Sequence, residues 1–219
     1  MWEDRVLFID AEALVIDKPA GLAVHPGPRT RESLEHYLPA LRFGFQRPPA
    51  PVHRLDRDTS GCLLLSRNPK AHKRFAASFE AGGVEKTYLA VLDGVPEAEE
   101  GEIDMPLAKI SSREAGWRIV PDAHKGKPAV TRWRRLAVKD GRALLLLMPQ
   151  TGRTHQLRVH AAEGLGLPIA GDPVYGAGRG PMLLHARTLS VERPGKAPIE
   201  ALAPLPPTFT AAGFADGDA

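Results

Sequence analysis

An α+β fold is what the sequence predicts, and three observations predict it. Short apolar runs bounded by turn residues recur along the whole chain. Two of them flank Asp140-Gly141, a dipeptide that favours a tight hairpin. Stretches with helix-capping signals fall irregularly between the runs, which argues against a regular βαβ winding. At 219 residues one large domain with a sizeable core is expected. That domain is placed at residues 1–211, and the small and acidic residues 212–219 are expected to fray.

The elements follow in order. Leu7–Asp10 and Ala13–Asp17 read as two short strands around a turn. Lys18-Pro19-Ala20-Gly21-Leu22 opens a turn-rich loop, because Pro fixes φ and Gly allows positive φ. Ser33–Leu41 is expected to be a short helix, and Gln46–Pro51 an extended approach to a polar motif. Gly61–Ser66 reads as a buried strand. Asn68-Pro69 pairs an N-cap with Pro at the first helical position, Phe75 and Phe79 lie four apart on one face, and Gly82-Gly83 ends the helix. Lys86–Leu92 alternates as a strand should. Thr131–Val138 and Ala143–Met148 form the hairpin around Asp140-Gly141. Thr154 is expected to cap a helix running to about Glu163, and Met182–Val191 reads as a further strand.

Composition narrows the function classes. The net charge is only +3, so bulk charge says little about partners. Local clustering says more. His53–Arg74 holds six Lys/Arg against two Asp, and His124–Arg142 holds seven against one, whereas Asp93–Asp104 is acidic. This segregation predicts a basic face that meets phosphate, Lys125–Arg142 included, and an acidic edge that does not. Arg outnumbers Lys 20 to 9, which fits phosphate recognition and a GC-rich genome equally well. A single cysteine, Cys62, excludes an intrachain disulfide. No apolar run approaches the length of a membrane span and none resembles a signal peptide, so a reducing cytoplasm is expected.

Two segments stand out chemically. Pro51-Val52-His53-Arg54-Leu55-Asp56-Arg57-Asp58-Thr59-Ser60-Gly61 sets Asp56 among arginines, a histidine and hydroxyls, just before the apolar run Cys62–Leu65. A carboxylate beside a buried element needs cationic or hydrogen-bonding partners, so Asp56 is either a structural ion-pair member or a reactive group. In Thr151–His160, the residues Arg153, His155, Gln156, Arg158 and His160 crowd together without compensating acids one helical turn away. The segment directly follows the apolar strand Leu144–Met148, where sites gather.

These residues carry a resemblance. His53–Gly61 resembles the HRLDxxTSG signature of the RluA-type pseudouridine synthases. Lys86-Thr87-Tyr88 is similar to that family's KxY element, Thr151–His160 to its TGRxHQxRxH element, Gly171-Asp172-Pro173-Val174-Tyr175-Gly176 to its GDxxYG turn, and Asp17–Leu22 to its KPxGL element. The resemblance implies a pseudouridine synthase catalytic fold, a bent, mixed and mostly antiparallel sheet flanked by helices around a central cleft. It also implies a small member without an S4-type RNA-binding module.

By the same resemblance, Asp56 is the catalytic aspartate, Tyr88 the active-site tyrosine, and Arg158 the arginine paired with the aspartate. Arg54 helps displace the target base. Arg57, Thr59, Arg153, His155 and Gln156 join the substrate-binding set. His53 is placed there too, with holding the loop as its favoured task; His155 and His160 are weighed the same way. Cys62 is read as a small core residue. The implied reaction isomerises uridine in loops of tRNA or large-subunit rRNA, acting as a monomer, with no cofactor and no metal. Asp56 acts either as a nucleophile at C1′ or as a base at C2′, and Tyr88 either as a base at C5 or as a stacking face. Two rivals stay in view: a non-catalytic RNA-binding chaperone on the same scaffold, and a metal-dependent phosphoesterase using His53, Asp56, Asp58 and Asp172.

Overall fold

The computed structural model describes residues 2–27, 30, 32–112 and 116–218. In chain order the elements are β1 (Val6–Ile9), β2 (Ala13–Lys18), β3 (Ala50–Pro51), β4 (Ser60–Ser66), α1 (Pro69–Glu80), β5 (Val84–Leu92), β6 (Glu100–Asp104), β7 (Leu107–Ser112), β8 (Gly116–Pro121), β9 (Val130–Lys139), β10 (Arg142–Pro149), α2 (Gln156–Val159), β11 (Leu184–Val191), β12 (Ile199–Leu202) and α3 (Pro207–Ala211). The result is α+β: mostly antiparallel strands with few short helices. What the sequence reads as one domain is organised as two compact units. The first comprises Met1–Lys86 and Ala186–Pro204, the second Thr87–His185 and Leu205–Ala219.

In the first unit, β2 and β4 pair antiparallel from Ala13↔Ser66 to Lys18↔Gly61. Each has an apolar centre, Ala13–Ile16 in β2 and Cys62–Leu65 in β4, and all seven residues of β4 are buried, as expected of an interior strand. β1 flanks β2, β3 adds to β4, and β12 pairs with β11. Asn68 caps α1 by accepting the Ala71 N–H at 2.8 Å, and Phe75 turns into the core. Cys62 lies buried against the Arg187 and Ala201 carbonyls, and burial pushes its thiol up to about 12, which makes it an inert filler. Ser33–Leu41 does not form one helix. It makes two 3₁₀ turns, Leu34–His36 and Leu38–Arg42, because Pro39 withholds an N–H and Phe43 adopts positive φ just beyond.

In the second unit β10 is central, paired with β5 (Leu147↔Tyr88) and β9 (Ala143↔Val138). The β9–β10 turn has positive φ at both Asp140 and Gly141, the primed geometry that the dipeptide predicts. β6 pairs with β9, and β7 with β8 forms a separate hairpin. The helix expected from Thr154 is shorter. Its N-cap is His155, α2 ends at Val159, and His160–Gly164 continues as a π turn.

Two further expectations are corrected. The C-terminal residues do not fray, because Phe214 is buried with Phe209 and Leu144, and Asp218 ion-pairs with Lys139. Nor is Lys125–Arg142 a bare basic face. Arg132 pairs with Glu102, Arg135 with Glu99, Arg142 with Asp93 and Lys139 with Asp218. The β6–β9 register sets Glu102 opposite Arg132, so the acidic run neutralises the basic one from the neighbouring strand.

Gly61, at the start of β4, has φ +105°, and a Cβ there would sit 2.2 Å from the Ala186 carbonyl oxygen. Gly61→Ala is therefore expected to destabilise the protein by about 3 kcal/mol or more through backbone clash and strain. Equilibrium urea unfolding measures it. An unchanged midpoint would show that β4 does not depend on this close approach.

Candidate active site

The Asp56 loop lies in the first unit and is tied down at both shoulders. The Thr59 N–H donates to the Asp56 carbonyl at 3.2 Å, which closes a turn around Arg57 and Asp58. The Arg57 carbonyl accepts the Gly21 N–H at 2.9 Å. It also accepts Lys18 Nζ at 3.1 Å, and the same ammonium donates to the Pro19 and Leu22 carbonyls at 2.8 and 2.7 Å. Lys18 is fully buried at the end of β2, so these three carbonyls stand in for its water shell. Burial pulls its pKa down to about 7, against the opposing charges of Asp58, Asp56 and Asp17. Lys18 thus joins the KPxGL turn to the Asp56 loop and places a cation in the electrostatic reach of Asp56. The motif contained this lysine, but nothing in its spacing announced burial.

The other residues of the loop divide by task. Asp56 is partly exposed and Arg54 fully so. Arg57 forks onto its neighbour Asp58 at 3.0 and 3.1 Å, an exposed pair. Thr59 is buried. His53 accepts the Leu64 N–H on Nε2 at 3.0 Å and stacks on Phe79 at 4.6 Å between centroids. Burial pushes its pKa down to about 3, with the charge of Lys86 adding to the push. A neutral ring that accepts a backbone N–H holds the loop against β4 and α1.

The second unit presents Arg158. Its guanidinium is buried and grips Asp172 with two parallel bonds, Nε to Oδ2 at 2.7 Å and Nη2 to Oδ1 at 2.8 Å. Asp172 also accepts the Val174 and Tyr175 N–H groups. Burial pushes this carboxyl up, but Arg158 and the two amides outweigh it and hold the group below its ordinary range. The acid that the crowded cationic segment lacks locally is supplied from the GDxxYG turn. The Arg158 guanidinium lies over the Tyr175 ring at 5.2 Å.

Around this pair the polar side chains mostly serve one another. Gln156 accepts from Thr151 Oγ1 and the Arg153 N–H and donates to the Val130 carbonyl and Thr131 Oγ1, so it pins the strand-to-helix turn. Arg153 is exposed and donates Nε to the Pro128 carbonyl. His160 is buried between Thr131 Oγ1 and the Met105 carbonyl, and burial lowers its pKa. Since a carbonyl only accepts, Nε2 carries the proton and Nδ1 accepts from Thr131. His155 holds a left-handed backbone (φ 52°), a conformation costing on the order of 1 kcal/mol that its contact with the Tyr175 hydroxyl (2.9 Å) helps to retain. Tyr88, on β5, is half-buried against the Ala90–Leu145–Leu147 cluster.

The phosphoesterase reading loses two of its four ligands. His53 spends Nε2 on Leu64, and Asp172 spends both oxygens on Arg158 and backbone amides. Among the described residues no group of three or more His, Cys, Asp or Glu is placed to hold a metal ion.

Known proteins resemble this chain. A family model described as RNA pseudouridylate synthase matches residues 12–163. A Zymomonas mobilis protein described as an uncharacterized RNA pseudouridine synthase is 60% identical over 214 residues, covering 96% of this chain and 97% of its own. From the same organism, ribosomal large subunit pseudouridine synthase D is 37% identical over 179 residues, covering 78% of this chain and 56% of its own. Among solved structures, human RNA pseudouridylate synthase domain containing 4 superposes with a TM-score of 0.81 at 26% identity, covering 95% of this chain and 91% of its own.

Two measurements test the loop architecture. Lys18→Met strands carbonyls that the ammonium satisfied, and is expected to cost about 3 kcal/mol of unfolding free energy; a loss under about 1 kcal/mol would mean the ammonium is not the tie described. His53 binds its proton more weakly folded (about 3) than unfolded (6.5). Its contribution to stability is therefore complete above pH 6.5 and is lost as pH falls toward 3, with a slope of up to about 1.4 kcal/mol per pH unit. In His53→Gln that slope should be missing from the acid limb of stability against pH. Identical limbs would refute the neutral, accepting ring.

Proposed function

Because the chain belongs to the RluA-type RNA pseudouridylate synthase family and isomerises uridine to pseudouridine in RNA, we propose that Asp56, Arg158 and Tyr88 carry the reaction. The reaction breaks the uridine N1–C1′ bond, turns the uracil and joins C5 to C1′; the proton at C5 leaves and N1 gains one. It is redox-neutral and asks for no cofactor. Asp56, ionised, works at the ribose, either attacking C1′ or taking the C2′ proton. Arg158 supplies the opposite charge, and Asp172 fixes the plane of its guanidinium. Tyr88 offers a ring face to the uracil and a hydroxyl toward C5. Arg54, exposed on the same loop as Asp56, helps to hold the base out of its stack.

One observation carries this reading. Asp56 stands partly exposed on a loop whose neighbouring backbone is immobilised by a buried ammonium. A reactive acid needs a rigid support and an open side. Extrusion of the target is cheapest from unpaired loops, so we place the substrate uridine in loops of tRNA or large-subunit rRNA. We further propose that the enzyme acts as a monomer in the cytoplasm. Among the described residues no helix is long and apolar enough to cross a membrane.

Asp56→Asn keeps the shape and removes the charge. It is expected to abolish pseudouridine formation on extracted RNA while leaving RNA affinity within about threefold of the wild type, since it alters one group at the ribose and none of the phosphate contacts that dominate affinity. Mass-spectrometric nucleoside analysis reads the product. Wild-type turnover in the variant would end the assignment of Asp56.

A further inference from the structure

Trp117 is the most exposed of the three tryptophans, since Trp2 is half-buried and tilts against Tyr37. Trp133 is buried, whereas Trp117 on β8 is 44% exposed. Its cross-strand partner is Ser111, too small to cover an indole. Single exposed apolar residues are ordinary, but this one is oriented. The His155 ring stands perpendicular to it at 5.0 Å, and Lys109 Nζ lies over it at 5.7 Å. His155 continues to Tyr175 at 5.6 Å, and Tyr175 to the Arg158 guanidinium at 5.2 Å. A row of flat rings and cations thus runs from Arg158 outward to solvent along the β7–β8 hairpin.

The charges of this row differ from those on β9. Arg132, Arg135, Lys139 and Arg142 are ion-paired. Among the described residues Lys109 and Arg118 meet no carboxylate. The Arg118 guanidinium lies over Tyr175 at 5.4 Å, and its Nε has no hydrogen-bond partner. An open indole with uncompensated cations beside it combines a stacking face with phosphate neutralisation, the two parts of a single-strand RNA site.

We propose that Trp117 is a stacking platform for an unpaired base of the substrate RNA, with Lys109 and Arg118 neutralising the adjoining phosphates. This deepens the reading of the chain as an RNA-modifying enzyme and rests on it. Lys109 swings from the ring to a phosphate when a base arrives, and His155 keeps the indole upright. The platform holds the strand beside the target rather than the target itself, and it favours unpaired RNA over duplex because only an unstacked base offers its face.

The test titrates the protein with a short single-stranded RNA of mixed sequence and with the same strand in a duplex. Binding is followed by tryptophan fluorescence and anisotropy in the wild type, Trp117→Phe, Trp117→Leu and Lys109→Ala. Single strand should quench the wild type, and Trp117→Leu should lose both the quench and about tenfold or more in affinity, the size of one lost base stack. Trp117→Phe should keep most of the affinity. Lys109→Ala should lower the slope of log affinity against log salt by about one, while Trp117→Leu leaves it unchanged. Circular dichroism confirms that each variant is folded. Wild-type affinity in Trp117→Leu, equal losses in Trp117→Phe and Trp117→Leu, or equal binding of duplex would each overturn the platform. If pseudouridine still forms and depends on Asp56 in that event, the platform alone has failed; if Asp56→Asn is fully active, the functional reading has failed.

Discussion

A buried guanidinium cannot be left without partners. Much of the second unit's site is the consequence of satisfying Arg158. Removing one partner of such a pair costs about 3–5 kcal/mol, because the other charge stays desolvated. The chain meets the demand with Asp172, itself held by the Val174 and Tyr175 amides. To bring Asp172 there, the preceding residue must pass within 2.0 Å (as a Cβ would be) of the Pro181 carbonyl with φ +76°, which only Gly171 does without strain. The same turn sets Tyr175 over Arg158 and against His155. One ion pair therefore fixes a helix start, a turn and an aromatic row together. In the first unit Lys18 plays the matching part: a buried cation finds three carbonyls, those of Pro19 and Leu22 in one turn and that of Arg57 in the Asp56 loop, and so ties the two together.

Much of the fold was legible in the sequence because its local signals agree with its packing. β2 and β4 have apolar centres, Asn68-Pro69 caps as its chemistry suggests, and Asp140-Gly141 turns the hairpin that its positive φ values allow. The failures have local causes too. Leu38-Pro39 splits the expected helix after Ser33 into 3₁₀ turns. Thr154 reads as a cap, yet His155 takes the N-cap position because its ring is held by Tyr175, a residue twenty positions away that no helix signal reports. The hairpin of β7 and β8 was missed, and so was β6. β6 carries three acids in five residues, and its strand pairing sets Glu100 and Glu102 opposite Arg134 and Arg132 of β9 while Ile103 enters the core.

Candidate site residues could be named from the sequence, but their partners could not. Asp56, Arg158 and Tyr88 were marked by motif, but that Asp172 grips Arg158 is a fact of tertiary pairing. The one hint was that the Arg158 segment carries no acid a turn away. Charge along the chain was the most misleading quantity. The basic run 125–142 looked like an RNA surface, whereas antiparallel pairing turned much of it inward upon the acidic run 93–104. Runs of like charge say where charge is, and only the register says what neutralises it.

The path of the chain has a consequence for how this protein is made. The first unit is begun by residues 1–86 and completed by 186–204, with the whole of 87–185 threaded between. While the ribosome is still extending the middle of the chain, β4 lacks the Ala186 backbone against which Gly61 closes. The Asp56 loop is thus among the first parts synthesised and among the last to be finished. No single cut of the gene yields either unit whole, and a truncated transcript would release a half-built sheet with open edges rather than a smaller working protein.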